Sequence, residues 1–137
     1  VYDDYGHHPT EIEMTLRALR AAELPKRLIC VFQPHQHSRT RFLLNQFAQS
    51  FSSADEVIVP HIYFVRDSIV EQQRISAQDL VNKLVDQGVS AKNINDFDDI
   101  TSHLRTTARD GDLIVIMGAG PVTSIAHSLI DQAKVTQ

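Results

Sequence analysis

Two short segments of the sequence concentrate side chains that could bind a ligand or take part in catalysis. Residues 3–8 read Asp-Asp-Tyr-Gly-His-His, and residues 33–41 read Gln-Pro-His-Gln-His-Ser-Arg-Thr-Arg. Imidazole and carboxylate groups are ligands for zinc and other divalent metals. Arginine forks instead pair with carboxylates and phosphates. The sequence therefore raises two functional hypotheses, a metal centre and a site for an anionic ligand such as a nucleotide.

The metal hypothesis draws on six side chains in these segments: Asp3, Asp4, His7, His8, His35 and His37. Two observations count against it. Adjacent histidines on a regular element do not both point at one ion, and Arg39 and Arg41 would bring positive charge towards the cation. We therefore predict no metal site and rank a metal-dependent hydrolase third among the possible functions. A non-functional interpretation, polar turns built around Pro9 and Pro34, also stays open.

The anion hypothesis uses the ends of predicted strands. A carboxylate at such an end can accept hydrogen bonds from both hydroxyls of a ribose. A helix that begins near Ser38 or Thr40 would add oriented N–H groups. The sequence from Gly118 to Gly120 offers another turn of this kind, but Thr123 stands where a dinucleotide-binding fingerprint has its third glycine. Close packing of a strand against a helix is the simpler reason for these glycines.

Several catalytic motifs are missing from the sequence. It contains no Gly-x-x-x-x-Gly-Lys-Ser/Thr phosphate-binding loop and no Gly-x-Ser-x-Gly nucleophile elbow. Cys30 lies within the apolar run 28–32, where a core position is expected rather than a nucleophile. A single cysteine forms no internal disulfide, which favours a reducing cytoplasm. The sequence therefore does not predict a complete catalytic apparatus within this chain.

The elements that must position both segments alternate between strands and helices. Apolar and β-prone runs predict strands at 1–4, 28–32, 56–59, 93–95 and 113–117. Helical spacing predicts helices at 10–24, 40–52, 76–87, 97–107 and 121–133, the first with a Thr10–Glu13 capping box and the third ended by Gly88. Residues 61–75 predict a loop with a short strand. This order is typical of an α/β, Rossmann-like, open and mostly parallel sheet with helices on both faces.

Composition narrows the class of protein further. The 137 residues are 42% hydrophobic and 22% charged, enough apolar material for one globular domain. The net charge of −4 argues against broad electrostatic binding of nucleic acid. The longest apolar runs are far too short to span a bilayer. Because the sequence starts directly on a predicted strand, we expect it to be a domain of a longer protein.

Two strings resemble a known family. Asp3-Asp-Tyr-Gly-His-His-Pro-Thr-Glu-Ile12 and Phe32-Gln-Pro-His-Gln-His-Ser-Arg-Thr40 are similar to the C-terminal domain of the Mur ligases, the ATP-dependent ligases of peptidoglycan synthesis. A shorter Asp-Tyr-x-His-x-Pro pattern is shared with folylpolyglutamate synthetases. The longer strings resemble the branch of the family that adds L-alanine to UDP-N-acetylmuramate. The terminal Gly-Ala-Gly also resembles this family, whereas residues 61–110 carry no motif.

The resemblance implies a fold, a reaction and partners. It implies that residues 1–137 form the Rossmann-like third domain of a ligase, after a UDP-sugar-binding domain and a central ATPase domain. ATP and Mg²⁺ would be required, with the metal ligands mainly outside this segment. The isolated domain would then be inactive. The alternatives are another Mur-type or polyglutamate-type ligase, and a stand-alone nucleotide- or anion-binding module.

The resemblance also implies roles for individual residues. Asp4 and His7 would bind the nucleotide, and Tyr5, His35 and Arg39 would lie at the amino-acid pocket. Secondary candidates are Asp3, His8, Gln36, His37 and Arg41. The family commonly has an arginine and an aromatic residue where this sequence has Gln36 and His37. The missing guanidinium leaves the choice of L-alanine over glycine or serine open, unless Arg41 or the Gln36 amide compensates.

Overall fold

A computed structural model describes the backbone of residues 1–135 and the side chains as far as residue 131. One sheet contains five strands: β1 (Tyr2–Asp4), β2 (Arg27–Phe32), β3 (Glu56–Val59), β4 (Ala91–Asn93) and β5 (Asp112–Met117). Their order is β1-β5-β2-β3-β4, and every neighbouring pair is parallel. The predicted open parallel sheet is confirmed.

Helices cover both faces of this sheet, as predicted. They are α1 (Pro9–Glu23), α2 (His37–Phe42), α3 (Leu44–Ala48), α4 (Ile69–Arg74), α5 (Ala77–Asp86), α6 (Phe97–Thr107) and α7 (Thr123–Val135). Alternate side chains of β2 enter two different hydrophobic clusters, because successive residues of a strand point to opposite faces. Cys30 packs with α1 and α5, whereas Ile29 and Val31 pack with α6 and α7. Cys30 is fully buried, which confirms its place in the core.

Several predicted boundaries are wrong. The first helix begins at Pro9, and its N-cap is His8, so the predicted Thr10–Glu13 capping box does not form. The predicted helix at 40–52 is two short helices, because the backbone leaves the helical region at Leu43 (φ −102°, ψ 16°). Phe42, at the end of the first of these helices, is 85% exposed. The last helix begins at Thr123 rather than at Pro121.

The middle of the chain contains elements that hydrophobic periodicity does not reveal. α4 buries none of its residues, so it leaves no apolar pattern in the sequence. The expected short strand at 61–75 is a single parallel bridge between His35 and Tyr63. β4 lies at 91–93 rather than 93–95. None of the helices in the described residues is long and apolar enough to cross a membrane.

Candidate functional site

The carboxyl ends of β1, β5 and β2 lie side by side at one edge of the sheet. In the parallel register, Met117 of β5 pairs with Asp4 on one side and with Phe32 on the other. The pairing continues just past the strands, where the Gly118 amide donates to the Asp4 carbonyl oxygen at 3.1 Å. On the other side the Gln33 amide donates to the Met117 carbonyl oxygen at 3.0 Å. The sheet therefore brings both chemistry-bearing segments to the same edge.

A cleft of about 580 Å³ opens at this edge, and we call it the His–Arg cleft. Five predicted site residues line it, namely Tyr5, His7, His35, Gln36 and Arg39. Four further residues that sequence reasoning missed complete the lining: Tyr63, Val65, Arg66 and Ala119. The sheet edge thus unites the predicted amino-acid-binding residues with His7.

Aromatic and imidazole rings form a row across the His–Arg cleft. The rings of Tyr5 and His7 lie 5.6 Å apart, those of His7 and His35 6.5 Å, and those of His35 and Tyr63 5.6 Å, between centroids. Tyr5 is 71% exposed, whereas His7 and His35 are half-buried. The row provides hydrogen-bonding nitrogen atoms on a surface that is partly shielded from water.

The electrostatic field of the His–Arg cleft is positive. It is lined by the guanidinium groups of Arg39 and Arg66 and by no carboxylate. The Arg39 Nε is buried and has no hydrogen-bond partner among the described residues. Burial lowers the pKa of His35, and the charges of His7, Arg66 and Arg39 lower it further. Such a site favours an anionic ligand beside a neutral imidazole.

The segment that carries Tyr63 and Arg66 is fastened to the segment before α2. The Tyr63 amide donates to the Pro34 carbonyl at 2.9 Å, and the Gln36 amide donates to the Tyr63 carbonyl at 3.0 Å. The Tyr63 ring also packs closely over Gly120, where an added Cβ would lie 2.8 Å from Tyr63 Cδ1. Gly120 is therefore explained by packing, but against a loop side chain rather than by the predicted contact of a strand with a helix. Only this tertiary pairing could have identified Tyr63 and Arg66.

The two aspartates of β1 do not line the His–Arg cleft. Oδ1 of Asp4 accepts a hydrogen bond from the Gly6 amide at 2.6 Å, which closes the turn after the strand. The Asp3 carboxylate accepts a hydrogen bond from the Thr123 hydroxyl at the start of α7. Asp4 is half-buried at the strand end, and its Oδ2 has no hydrogen-bond partner in residues 1–131.

Three secondary candidates do not line the His–Arg cleft and have structural roles. His8 caps α1, with its Nδ1 accepting from the Thr10 amide at 3.2 Å. His37 is 6% exposed and packs edge-on against Phe64, with ring centroids 5.8 Å apart. Arg41 donates twice to the Glu71 carboxylate, at 2.9 and 3.0 Å, and so ties α2 to α4. Arg41 is therefore not placed to compensate for the guanidinium missing at position 36.

The metal hypothesis receives no geometric support. In the part of the chain that the structure describes, no three His, Cys, Asp or Glu side chains converge in a way that could hold an ion. Asp3, Asp4 and His8 each accept a hydrogen bond from another protein group instead. His7 and His35 face two arginines, which would repel a cation.

A family model and curated relatives both match this chain to the Mur ligases. The family model described as Mur ligase, glutamate ligase domain, matches residues 1–120. The chain is 40% identical over 135 residues to a UDP-N-acetylmuramate–L-alanine ligase of Caldanaerobacter subterraneus. This match covers 98% of the chain but 28% of the relative. The chain thus spans little more than a quarter of the curated relatives that it matches.

Solved structures agree on the fold. The UDP-N-acetylmuramate-alanine ligase of Thermotoga maritima superposes with a TM-score of 0.75 at 18% identity, covering 97% of this chain and 26% of the other. A murein peptide ligase of Psychrobacter arcticus superposes with a TM-score of 0.73 at 25% identity, covering 93% of this chain and 26% of the other. Both similarities extend over nearly the whole described chain.

Proposed function

We propose, for a chain that belongs to the Mur ligase, glutamate ligase domain family, that it binds the amino acid and closes over the nucleotide in an ATP-dependent amide-bond ligase. The proposed reaction adds L-alanine to UDP-N-acetylmuramate in peptidoglycan synthesis. The observation that carries the proposal is the His–Arg cleft, in which two guanidinium groups lie beside a neutral imidazole without an acidic partner lining the site. The α-carboxylate of an amino acid matches that chemistry, and the neutral imidazole suits an uncharged amine.

The proposal places this chain as the C-terminal domain of a longer cytoplasmic protein. A UDP-sugar-binding domain and a central ATPase domain would precede it. Two observations support this arrangement. The chain corresponds to 28% of its relative's length, and its sequence contains no phosphate-binding loop. Mg²⁺ would accompany ATP and take its ligands mainly from the phosphates and from the other domains.

In the proposed reaction, the γ-phosphoryl group of ATP passes to the carboxylate of the UDP-sugar, and ADP leaves. The neutral amine of alanine then attacks the acyl carbon, the carbon–oxygen bond to phosphate breaks and inorganic phosphate leaves, and the proton lost by the nitrogen passes to water. Most of the rate gain in such steps comes from positioning and from electrostatic stabilisation. Arg39 would hold the alanine carboxylate with its fork, and neutral His35 could accept a hydrogen bond from the amine. Tyr5 would cover the amino acid, and His7 and Asp4 would face the nucleotide.

The role of Arg39 can be tested in the full-length ligase. We expect Arg39→Ala to raise the KM for L-alanine about 10-fold or more with little change in the KM for ATP, because a charged hydrogen bond is lost. Arg39→Lys should not restore alanine use, since an ammonium group cannot form the bidentate pair. Steady-state titration of both substrates provides the measurement.

Arg41→Ala is the matched control, because Arg41 lies on the same helix but pairs with Glu71 outside the His–Arg cleft. It should leave the KM for L-alanine near the wild-type value. Equal losses for ATP and alanine in Arg39→Ala, or no loss for either, would contradict the assignment. If the chain is instead an anion-binding module without ligase chemistry, the full-length protein forms no amide bond.

A further inference from the structure

We infer that Arg66 is a second amino-acid-binding residue, whose guanidinium pairs with the same α-carboxylate as Arg39. This inference rests on the proposed function and assigns a residue from a segment without a sequence motif. Arg66 and Arg39 line one cleft, although they lie on different segments of the chain. The carboxylate would then be held from two sides, which fixes its orientation as well as its position.

Most of the other arginines pair with a carboxylate, as Arg27 and Arg41 do. Arg109 has no such side-chain partner among the described residues, but it lines a different pocket that also contains carboxylates. In residues 1–131, Arg39 and Arg66 have neither an ion pair nor a side-chain hydrogen bond to the protein. Two guanidinium groups that share a cleft repel each other. An anion that pairs with both would relieve this repulsion.

The acidic neighbour of Arg66 does not supply that anion. The Asp67 carboxylate accepts hydrogen bonds from the Ser38 amide at 2.8 Å and from the Ser68 amide at 3.0 Å. Partial burial would raise the pKa of Asp67, but these hydrogen bonds outweigh it and the pKa is lowered. Its charge thus anchors the start of α2, and Asp67 does not line the His–Arg cleft.

The hydrogen bonds of this segment also fix where Arg66 lies. Tyr63 pairs with Pro34 and Gln36 before Arg66, and Asp67 bonds to Ser38 directly after it. Both attachments join the segment to the start of α2, the helix that carries Arg39. The distance between the two arginine backbones is therefore constrained on either side. A preorganised pair of this kind loses less entropy when it binds a ligand.

Two residues that line the His–Arg cleft have a strained backbone conformation. The described residues other than glycine contain three with positive φ: Leu24, Gln36 and Arg66. Leu24 ends α1 in the left-handed conformation that is common at helix C-termini. The other two, Gln36 at +69° and Arg66 at +49°, both line the His–Arg cleft. Residues held in such conformations cluster at ligand-binding sites, because the surrounding contacts impose them.

The test compares L-alanine with L-alaninamide, which keeps the amine but lacks the carboxylate, in the full-length ligase. We expect Arg66→Ala to raise the KM for L-alanine about 10-fold or more, to leave the KM for ATP near wild type, and to affect L-alaninamide little. The wild-type preference for alanine over its amide should shrink accordingly. A general loss of structure would raise the KM for L-alanine and for L-alaninamide equally. Arg74→Ala is the matched control, because Arg74 is exposed on α4 outside the cleft.

A second variant tests whether the binding site for the carboxylate is shared. Gln36 lines the same cleft, so Gln36→Arg can place a guanidinium there. In the Arg66→Ala background we expect Gln36→Arg to lower the KM for L-alanine at least part of the way back to the wild-type value. An increase in the KM for ATP alone would assign Arg66 to the nucleotide phosphates and overturn the inference. Equal changes for alanine and alaninamide, or no change, would also overturn it.

Failure of the proposed function gives a different result. If the wild-type ligase uses another amino acid, the proposed substrate is wrong, and the same comparison with that amino acid and its amide decides the role of Arg66. If the full-length protein forms no amide bond with any amino acid, both proposals are overturned.

Discussion

The Asp4 carboxylate illustrates how one side chain can serve a turn and still be available to a ligand. Its Oδ1 accepts a hydrogen bond from the Gly6 amide, and its Oδ2 has no partner in the described part of the chain. In the role proposed for Asp4, Oδ2 would accept a hydrogen bond from a hydroxyl of the nucleotide, while the hydrogen bond from the Gly6 amide to Oδ1 would orient the carboxylate.

At the residue scale, we predict that Asp4→Ala in the full-length ligase raises the KM for ATP by one to two decades. The basis is the loss of a charged hydrogen bond worth roughly 1.5–3 kcal/mol. Asp4→Asn separates the two roles, because its side-chain oxygen can still accept from Gly6 while the charge is removed. Asn should therefore retain the thermal stability that Ala loses and still show a raised KM for ATP. An unchanged KM for ATP in both variants, with a lower melting temperature for Ala alone, would make Asp4 structural.

At the scale of elements, the start of α1 separates a histidine that caps the helix from one that lines the His–Arg cleft. His8 and His7 are adjacent, but His8 caps the helix through its Nδ1, whereas His7 lines the His–Arg cleft. Glu11 completes the cap by accepting from the His8 amide at 3.2 Å. α1 begins at Pro9, shortly after β1 ends at Asp4. The cap therefore also helps to fix the conformation of the short loop that carries Tyr5 and His7.

We predict that His8→Ala lowers the free energy of unfolding by about 0.5–2 kcal/mol, since an N-cap acceptor is lost. His8→Asp should recover this stability, because a carboxylate is a better cap and also favours the positive end of the helix dipole. Thr10→Ala, at the residue that the sequence pattern proposed as the cap, should change stability little. Urea unfolding of the three variants measures the effect. A larger loss for Thr10→Ala than for His8→Ala would show that the cap is assigned wrongly.

At the scale of the whole molecule, the chain has a cleft at the carboxyl edge of its sheet and no phosphate-binding loop in its sequence. The His–Arg cleft lies at the carboxyl edge of the sheet, and its lining comes from the segments after β1, β2, β3 and β5, including Arg39 on α2. In open α/β sheets, ligands bind outside the carboxyl ends of the strands, so the location follows from the topology. Phosphoryl transfer also needs a cradle for the phosphates and a bound metal, and the sequence has no phosphate-binding loop.

We therefore predict that the 137-residue chain alone neither turns over ATP nor forms an amide bond. Phosphate release measured with ATP, UDP-N-acetylmuramate and L-alanine should stay at background, whereas the full-length ligase under the same conditions should release phosphate. The folded state of the chain is checked by a cooperative thermal transition. ATP turnover that stays proportional to the chain through successive purification steps would refute this prediction.

The sequence by itself determined the architecture and the edge at which the site lies. Continuous apolar runs such as 28–32 are buried on both faces, and their alternation with helical periodicity permits few other arrangements than a parallel sheet. Residues after such strands must lie at one edge, so Tyr5, His7, His35 and Arg39 could be grouped without coordinates. These inferences depend on local spacing, which the sequence carries directly.

Only the tertiary structure decided which neighbouring side chains belong to the site. Residue type does not distinguish Arg39 from Arg41, but Arg41 forms an ion pair with Glu71 on α4, whereas Arg39 lines the His–Arg cleft. The segment that carries Arg66 is held at the cleft by a single parallel bridge between His35 and Tyr63, and such a bridge leaves no periodic pattern in the sequence. The physical reason is that hydrogen-bond and ion-pair partners are set by contacts between residues about 30 positions apart, whereas periodicity records only which face of an element is buried.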